Sequence, residues 1–248
     1  MGGFFYQLGR LAGPKIRKVQ WAWAAATAPE AEAIVAERKA GADMACSIRQ
    51  QRRVCADLPI VELLAETGSA LAGRVKNKQR TFEFICLSGE QPEAFCLPGG
   101  FVFVSRPMIE LCGENPERLA FVLAHEMAHI LEGHAMQRMV SGAVLKTASR
   151  AKVIPHAAAG AMGKLGTEFL EKAYSRQQEL AADALGLRLA MAAGFDGRAG
   201  VAVFEKLAAL EQPAGPLKYF STHPEAQERI ARLRQLLAER SPKTLKPE

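Results

Sequence analysis

The chain has 248 residues, 49% of them hydrophobic and 23% charged, which is ordinary for a globular protein with one sizeable core. Its net charge of +6 comes from scattered basic residues without a nucleic-acid-binding motif, so we expect no nucleic-acid partner. Because no run of about 18 apolar residues occurs, no transmembrane helix is predicted. The five cysteines form no CxxC pair and predict free thiols.

Residues 1–28 mix aromatic and basic side chains, and two interpretations are open. The segment could make peripheral membrane contact as an amphipathic anchor, or it could pack its aromatic rings onto the domain. It lacks the continuous apolar stretch of a signal peptide. We therefore expect a cytoplasmic protein, or a periplasmic or membrane-associated one if an N-terminal signal was removed.

The next part of the chain predicts two helices and then a small sheet. Residue composition predicts helices over Ala31–Ala56 and Ile60–Val75. Hydrophobic alternation bounded by turn residues predicts three short strands, the last two joined by a Pro-Gly-Gly turn. These strands run over residues 81–87, 95–97 and 101–104.

The segment Leu119–Leu131 is apolar except at His125, Glu126 and His129, and it follows an Asn-Pro start signal, so it predicts a buried helix. Histidines four residues apart lie on one helix face, and both imidazoles can bind one Zn²⁺. The adjacent Glu126 can then take a proton from a zinc-bound water. The alternative is a pair of histidines that are merely hydrogen-bonded inside a helix.

A catalytic zinc needs a third protein ligand. His134 comes five residues after His129, roughly 140° around a helix from the ligand face, so we do not expect it to bind zinc. Glu179 and Asp183 face the same way on the next long predicted helix, Gly166–Ala193. We interpret Glu179 as the metal ligand and Asp183 as the acceptor of a hydrogen bond from a ligand histidine, the alternative being a solvated acidic pair.

The remaining segments are less regular. Residues 141–165 are rich in Ala and Gly and predict either a mobile flap over the cleft or a helical hairpin. A closing helix is predicted from Pro224 to Glu239, after His223. Helices, a small sheet and further helices in this order predict an α+β fold.

Five segments together resemble the gluzincin metallopeptidases related to the CAAX prenyl endopeptidase, HtpX and BepA. They are HEMAH at 125–129, ELAAD at 179–183, EAFCLPGGFVFV at 93–104, YSR at 174–176 and THP…ERI at 222–230. The last three segments fit the soluble, BepA-like branch, and the resemblance covers its peptidase domain only. Glu93 departs from the pattern, because the branch usually has Asn there.

The resemblance implies a mostly helical, zincin-like metallopeptidase domain with a small β-sheet before the HExxH helix. We expect an N-terminal helical extension over residues 1–56, the metallopeptidase domain over 57–240 and a disordered tail over 241–248. The implied activity is that of a zinc-dependent endopeptidase acting on extended or misfolded polypeptides.

The resemblance also implies the roles of individual residues. One Zn²⁺ per chain would be held by His125, His129 and Glu179, with Glu126 as general base. An extended peptide would add to the sheet through main-chain hydrogen bonds. The strand expected to receive it consists of Phe101, Val102, Phe103, Val104 and Ser105.

Three roles are open for His223. It could stabilise the tetrahedral oxyanion, occupy the open position of the zinc and hold the enzyme latent, or merely pack near Pro224. Tyr174, Arg176 and Tyr219 are further oxyanion candidates.

Two other functional classes also stay open. One is a metal-stabilised chaperone or binding module with little proteolysis, which would have no need for the intact Glu126. The other is an exopeptidase on small peptides.

Overall fold

The computed structural model describes residues 29–149, 173–210, 219, 222–223 and 226–240. Residues 1–28, residues 150–165 of the predicted flap or hairpin, and the predicted tail 241–248 lie outside the described residues. Among the helices within the described ranges, none combines the length and the apolar character that crossing a membrane requires.

The described chain consists mostly of helices around a small three-stranded sheet, which confirms the predicted α+β class. The helices are α1 (Glu30–Gln51), α2 (Leu58–Ala72), α3 (Arg106–Leu111), α4 (Pro116–Leu131), α5 (His134–Ser149), α6 (Arg176–Ala192), α7 (Arg198–Ala209) and α8 (Ala226–Arg240). The strands are β1 (Glu83–Leu87), β2 (Ala94–Leu97) and β3 (Phe101–Ser105).

Helix α4 carries the HExxH sequence and begins where the Asn-Pro signal predicts. The side chain of Asn115 accepts a hydrogen bond from the backbone N–H of Arg118 at 3.1 Å, and Pro116 occupies the first turn. Twelve residues of this helix, from Leu119 to Ile130, are buried. The HExxH side chains are therefore held inside the core on a rigid element.

Two predicted helix boundaries are wrong. Helix α1 ends at Gln51 instead of Ala56, because Val54 bridges to Leu87 and the Cys55 N–H donates to the Cys86 carbonyl at 2.9 Å. This short segment thus extends the sheet edge instead of the helix.

Helix α6 begins at Arg176, later than predicted from Gly166. The Ser175 hydroxyl accepts from the Gln178 N–H at 3.3 Å, and the Gln178 side chain accepts from the Ser175 N–H at 3.0 Å. This capping box fixes the start of the helix.

The three strands have the order β1-β3-β2. Strand β3 pairs antiparallel with β2, which confirms the predicted pair around the Pro-Gly-Gly turn, and parallel with β1. Strand β3 is consequently the central strand, with both of its edges hydrogen-bonded to neighbours.

Both faces of the sheet are buried, because alternate side chains along each strand enter two different cores. One face packs against α1 and contributes Ile85, Leu87, Phe95, Leu97, Phe101 and Phe103. The other face packs with α2 and α4 and contributes Cys86, Ala94, Cys96, Val102 and Val104. The sheet is therefore a middle layer between α1 and the helix that carries HExxH.

Helix α1 also holds the turn between β2 and β3. The Glu37 carboxylate accepts from the Gly99 N–H at 3.1 Å, and Arg38 donates to the Gly99 carbonyl at 2.7 Å. At Gly41 the helix approaches so closely that a Cβ would lie 1.7 Å from the Pro98 carbonyl oxygen. A glycine at position 41 is thus a condition for this contact.

The substitution Gly41→Ala tests the contact between α1 and the turn. Alanine in a helix interior normally gains about 1 kcal/mol over glycine. Here we expect a net loss of about 2 kcal/mol in the free energy of unfolding, because the added methyl overpacks the site. Urea unfolding measures the difference.

The matched control is Gly73→Ala, where the nearest heavy atom to a new Cβ lies at 3.4 Å. We expect this control to change the free energy of unfolding by less than about 0.5 kcal/mol. A Gly41→Ala variant as stable as the wild type would contradict the close approach.

Candidate metal centre

The centre is assembled from α4, α6, the segment before α8 and α8 itself. Helices α4 and α6 pack tightly because Gly186 of α6 has no side chain, so that a Cβ there would lie 3.0 Å from the backbone nitrogen of His125. This approach brings two polar helix faces together inside the core. Seven side chains at this contact have no exposed surface: His125, Glu126, His129, Glu179, Asp183, His223 and Arg229.

Four of these residues, His125, His129, Glu179 and His223, form one group of potential ligand atoms that lie within 4.8 Å of one another. The Nε2 atoms of His125 and His129 are 3.1 Å apart. The Nδ1 atom of His223 lies 3.3 Å from His125 Nε2 and 3.1 Å from Glu179 Oε1. His129 Nε2 is 3.2 Å from Glu179 Oε1.

Four of the six separations among these atoms, 3.1 to 3.3 Å, are close to those expected around a tetrahedral zinc ion. Ligand atoms about 2.0–2.1 Å from a tetrahedral Zn²⁺ are separated from one another by roughly 3.3 Å. Imidazole nitrogens and one carboxylate oxygen are donors that zinc accepts readily. The residues present can therefore hold the metal that the sequence predicts, with His223 as a fourth ligand.

Glu126 lies beside these four residues but is not one of the potential metal ligands. Both of its carboxylate oxygens are buried and have no hydrogen-bond partner among the described residues. His223 Nε2 lies 3.5 Å from Glu126 Oε1. A buried carboxylate without donors is costly, so the fold retains Glu126 at a stability cost that a purely structural site would not require.

Asp183 lies where it can orient His125, the role that the sequence predicts for it. Its Oδ1 atom lies 2.9 Å from His125 Nδ1, which directs His125 Nε2 towards the other ligand atoms. Burial disfavours the ionised carboxylate, but the charges and hydrogen bonds of Arg229 and His125 together outweigh this cost and hold the pKa of Asp183 below its ordinary value. Asp183 is thus an ionised acceptor for the His125 ring N–H.

The second ligand histidine has a different support. His134 Nδ1 lies 3.1 Å from His129 Nδ1, on the side of the ring that faces away from the ligand group. Burial lowers the pKa of His134, which favours a neutral imidazole that can accept the His129 N–H. The ring of Tyr174 stacks on His129 with 3.7 Å between centroids. His134 therefore lies where it can orient a ligand histidine.

The third ligand, Glu179, is ionised despite its burial. Desolvation raises its pKa, but the charges of His223 and Arg229 and the hydrogen bonds of His129 and His223 together hold the pKa well below the usual range. An ionised carboxylate is the form that binds a metal.

The three further oxyanion candidates take other positions. The Tyr174 hydroxyl points to Cys96 Sγ at 3.6 Å. Arg176 is exposed and forms an ion pair with Glu228, away from the ligand group. Tyr219 stacks on His223 with 4.6 Å between ring centroids, so its ring supports that histidine.

The prediction that the third strand receives an extended peptide at its edge is wrong. As the central strand, it already uses both edges to pair with β1 and β2. Its five buried residues are Phe101, Val102, Phe103, Val104 and Ser105. In the described part of the sheet, strand β2 has a strand neighbour on one side only.

For three residues of the centre, the sequence patterns do not predict a role there. Arg229 belongs to the ERI segment, but nothing in its own neighbourhood distinguishes it from exposed arginines of the same helix. Gly186 is a glycine inside a helix, which is a usable signal for close helix packing. His134 was excluded as a ligand without being assigned a supporting role.

Glu93 stands where the family pattern usually has Asn, and its carboxylate has a partner in Arg52. The two side chains form an ion pair, and the Glu93 N–H donates to the Ser105 hydroxyl at 2.9 Å. The start of β2 is thereby tied to the end of α1.

The chain is similar to known metallopeptidases. A family model described as peptidase family M48 matches residues 62–237, more than half of the chain. The mitochondrial metalloendopeptidase OMA1 of Schizosaccharomyces pombe is 34% identical over 153 residues, which cover 60% of this chain and 44% of that protein. The mitochondrial metalloendopeptidase OMA1 of Danio rerio is 35% identical over 161 residues, 59% of this chain and 33% of its own length.

The beta-barrel assembly-enhancing protease of Escherichia coli K12 is 27% identical over 186 residues, covering 69% of this chain and 38% of the protease. The chain thus spans less than half the length of each of these three relatives. The family match covers α4, α6 and most of α8, which carry the HExxH residues, Glu179 and Arg229. The predicted resemblance is confirmed, and the chain is a member of peptidase family M48.

Proposed function

We propose that this chain is a zinc-dependent endopeptidase that His223 holds latent at rest. The observation that carries the proposal is the close set of four ligand residues directly beside the buried carboxylate of Glu126, whose oxygens accept no hydrogen bond from the described residues. A metal site that only stabilised the fold would have no use for that carboxylate. This argues against the chaperone or binding-module alternative.

In this proposal His125, His129 and Glu179 hold the ion. When bound, Zn²⁺ supplies Lewis acidity, which polarises a peptide carbonyl and lowers the pKa of water. Glu126 accepts the proton of the attacking water and returns it to the nitrogen of the leaving amine. Its oxygens are suited to this role because they are buried directly beside the ligand residues.

Latency follows from the position of His223. A zinc with four protein ligands is closed, whereas a catalytic zinc keeps one position open. His223 places Nδ1 among the ligand atoms and Nε2 within 3.5 Å of Glu126 Oε1, so it takes up the fourth position and lies against the general base. In this proposal, activity requires His223 to move away from both the ligand atoms and Glu126.

Extended polypeptides are the proposed substrates, and β2 is the proposed strand for binding them. The Ser105 N–H donates to the Glu93 carbonyl at 2.9 Å, which sets the alternation of the β2–β3 ladder. By that alternation the main-chain groups of Ala94 and Cys96 point away from β3. An extended peptide could add there through main-chain hydrogen bonds, with weak side-chain selectivity.

We also propose that the peptidase domain includes α1. The family match begins inside α2, yet α1 covers one face of the sheet and contacts both ends of β2, at Glu93 and at the following turn. A boundary at residue 56 would expose that face of the sheet. The unit we infer therefore runs from α1 to α8.

Glu126→Gln tests the catalytic mechanism. The amide cannot accept the proton, so we expect cleavage of an unfolded protein such as reduced, alkylated casein to fall by about 10²–10⁴-fold. Zinc content, measured by mass spectrometry under native conditions, should stay at one ion per chain. Glu132→Gln, an exposed position at the end of α4, is the matched control and should cleave as the wild type does. Unchanged cleavage by Glu126→Gln would refute the mechanism.

His223→Ala tests latency. Removing the fourth ligand opens the site, so the open, active state changes from a minor population in the wild type to the major one in the variant. We therefore expect cleavage at equal zinc occupancy to rise about tenfold or more. The double variant Glu126→Gln/His223→Ala should be inactive, which shows that the gained activity uses the same base. A loss of activity in His223→Ala would instead favour the oxyanion role.

A further inference from the structure

We infer that Arg229 is the positioning residue of the metal centre: its guanidinium occupies one oxygen of Glu179 and so keeps this carboxylate a ligand through a single oxygen. The inference rests on the zinc site of the proposed function and adds a residue that is not itself a ligand. Arg229 lies on α8, whereas the helical ligands lie on α4 and α6. It thus links a third helix to the centre.

The side chain of Arg229 is fully buried and its donors are used. Nε and Nη2 each donate to a different oxygen of Asp183, both at 2.8 Å, in the two-pronged arrangement that guanidinium and carboxylate prefer. The guanidinium carbon lies 4.2 Å from the ring centroid of Phe204, which packs against its face. Asp183 and Phe204 together therefore fix the orientation of the guanidinium.

The remaining nitrogen of Arg229 reaches Glu179. Nη1 lies 2.6 Å from Glu179 Oε2 and 3.4 Å from the backbone oxygen of His223. Through three hydrogen bonds and this ion pair, Arg229 contacts the third ligand, the fourth ligand and the residue that orients His125.

Without Arg229, both oxygens of Glu179 would be available to a metal. Oε1 is 3.1 Å from His223 Nδ1, and Oε2 is 3.3 Å from the same atom and 3.6 Å from His125 Nε2. Carboxylates can bind metals through one oxygen or two. The ion pair with Nη1 at 2.6 Å occupies Oε2, so Oε1 is the oxygen left for the metal.

Arg229 also separates two negative charges. Asp183 and Glu179 are both fully buried, and their carboxylates meet the same guanidinium. Two unscreened carboxylates in a dry interior repel each other strongly, and a shared cation removes that cost. A lysine could supply the charge but could not donate to Asp183 through two nitrogens while reaching Glu179.

Cobalt(II) substitution tests the inference, because the visible absorption of Co²⁺ is intense in tetrahedral sites and weaker at higher coordination number. The proteins compared are the wild type, Arg229→Met and Arg229→Lys, each stripped of metal and titrated with Co²⁺. We expect the wild type to show tetrahedral bands. Both variants should show weaker bands per bound ion, and zinc affinity from chelator competition should fall about 10-fold to 100-fold.

The control is Arg234→Met, which removes an exposed arginine of the same helix that pairs with Glu205. It should keep the wild-type spectrum and affinity. A residue needed only for folding would lower thermal stability without changing the spectrum of the ion that is bound. If Arg229→Met folds poorly, Arg229→Lys, which retains the charge, decides the question by the same spectrum.

Two results separate this inference from the proposed function. If wild-type protein binds Co²⁺ and both Arg229 variants reproduce its spectrum and zinc affinity, the inference is overturned while the zinc site stands. If the wild type takes up neither Co²⁺ nor Zn²⁺, the zinc site itself fails and the inference falls with it.

Discussion

The structure depends on one constraint: the polar faces of α4 and α6 are pressed together inside the core, so every ionisable group there must find a partner. Gly186 makes the approach possible by leaving room for the backbone at His125. An uncompensated buried charge costs several kcal/mol, which is comparable to the net stability of a domain. The hydrogen bonds of Asp183, His134 and Arg229 meet this demand. Glu126 has the weakest support: its oxygens accept no hydrogen bond from the described residues, and its ion-pair contact is His223 Nε2 at 3.5 Å.

The parts of the centre that the sequence could predict are those set by local geometry. His125 with His129, and Glu179 with Asp183, are pairs four residues apart on single helices, and their common face follows from the helical repeat alone. Arg229 was beyond such reasoning. It lies 46 residues from Asp183 in the chain, and only the packing of α8 brings the two together. Its neighbour Arg234 has the same residue type on the same helix yet is exposed, so residue identity carries no information about the role.

For the sheet, too, the sequence predicts the local features but not those that depend on packing of distant segments. The alternation of apolar residues and the Pro-Gly-Gly turn were sufficient to predict strands and a hairpin, since both signals are local. The order β1-β3-β2 is not local, because β1 joins β3 in parallel after β2 has intervened in the chain. Sequence alternation therefore could not distinguish the central strand from the edge strand, and the wrong one was predicted to bind the substrate. Similarly, residues 52–56 have helical composition, but pairing of Val54 with Leu87 prevails.

The contacts of Arg229 also bear on how a latent site could open. His223 is attached to the centre through its own imidazole, through stacking on Tyr219 and through a long backbone contact to Arg229 at 3.4 Å. Glu179 and Asp183 are attached to the same guanidinium by much shorter contacts of 2.6 and 2.8 Å. Charge-assisted hydrogen bonds of that length are the stronger ones. A movement of the His223 imidazole would break its own contacts, among them the one to Glu179 Oε1 at 3.1 Å, and leave the contacts of Arg229 with Glu179 and Asp183 in place. This is the condition for a histidine to act as a reversible fourth ligand.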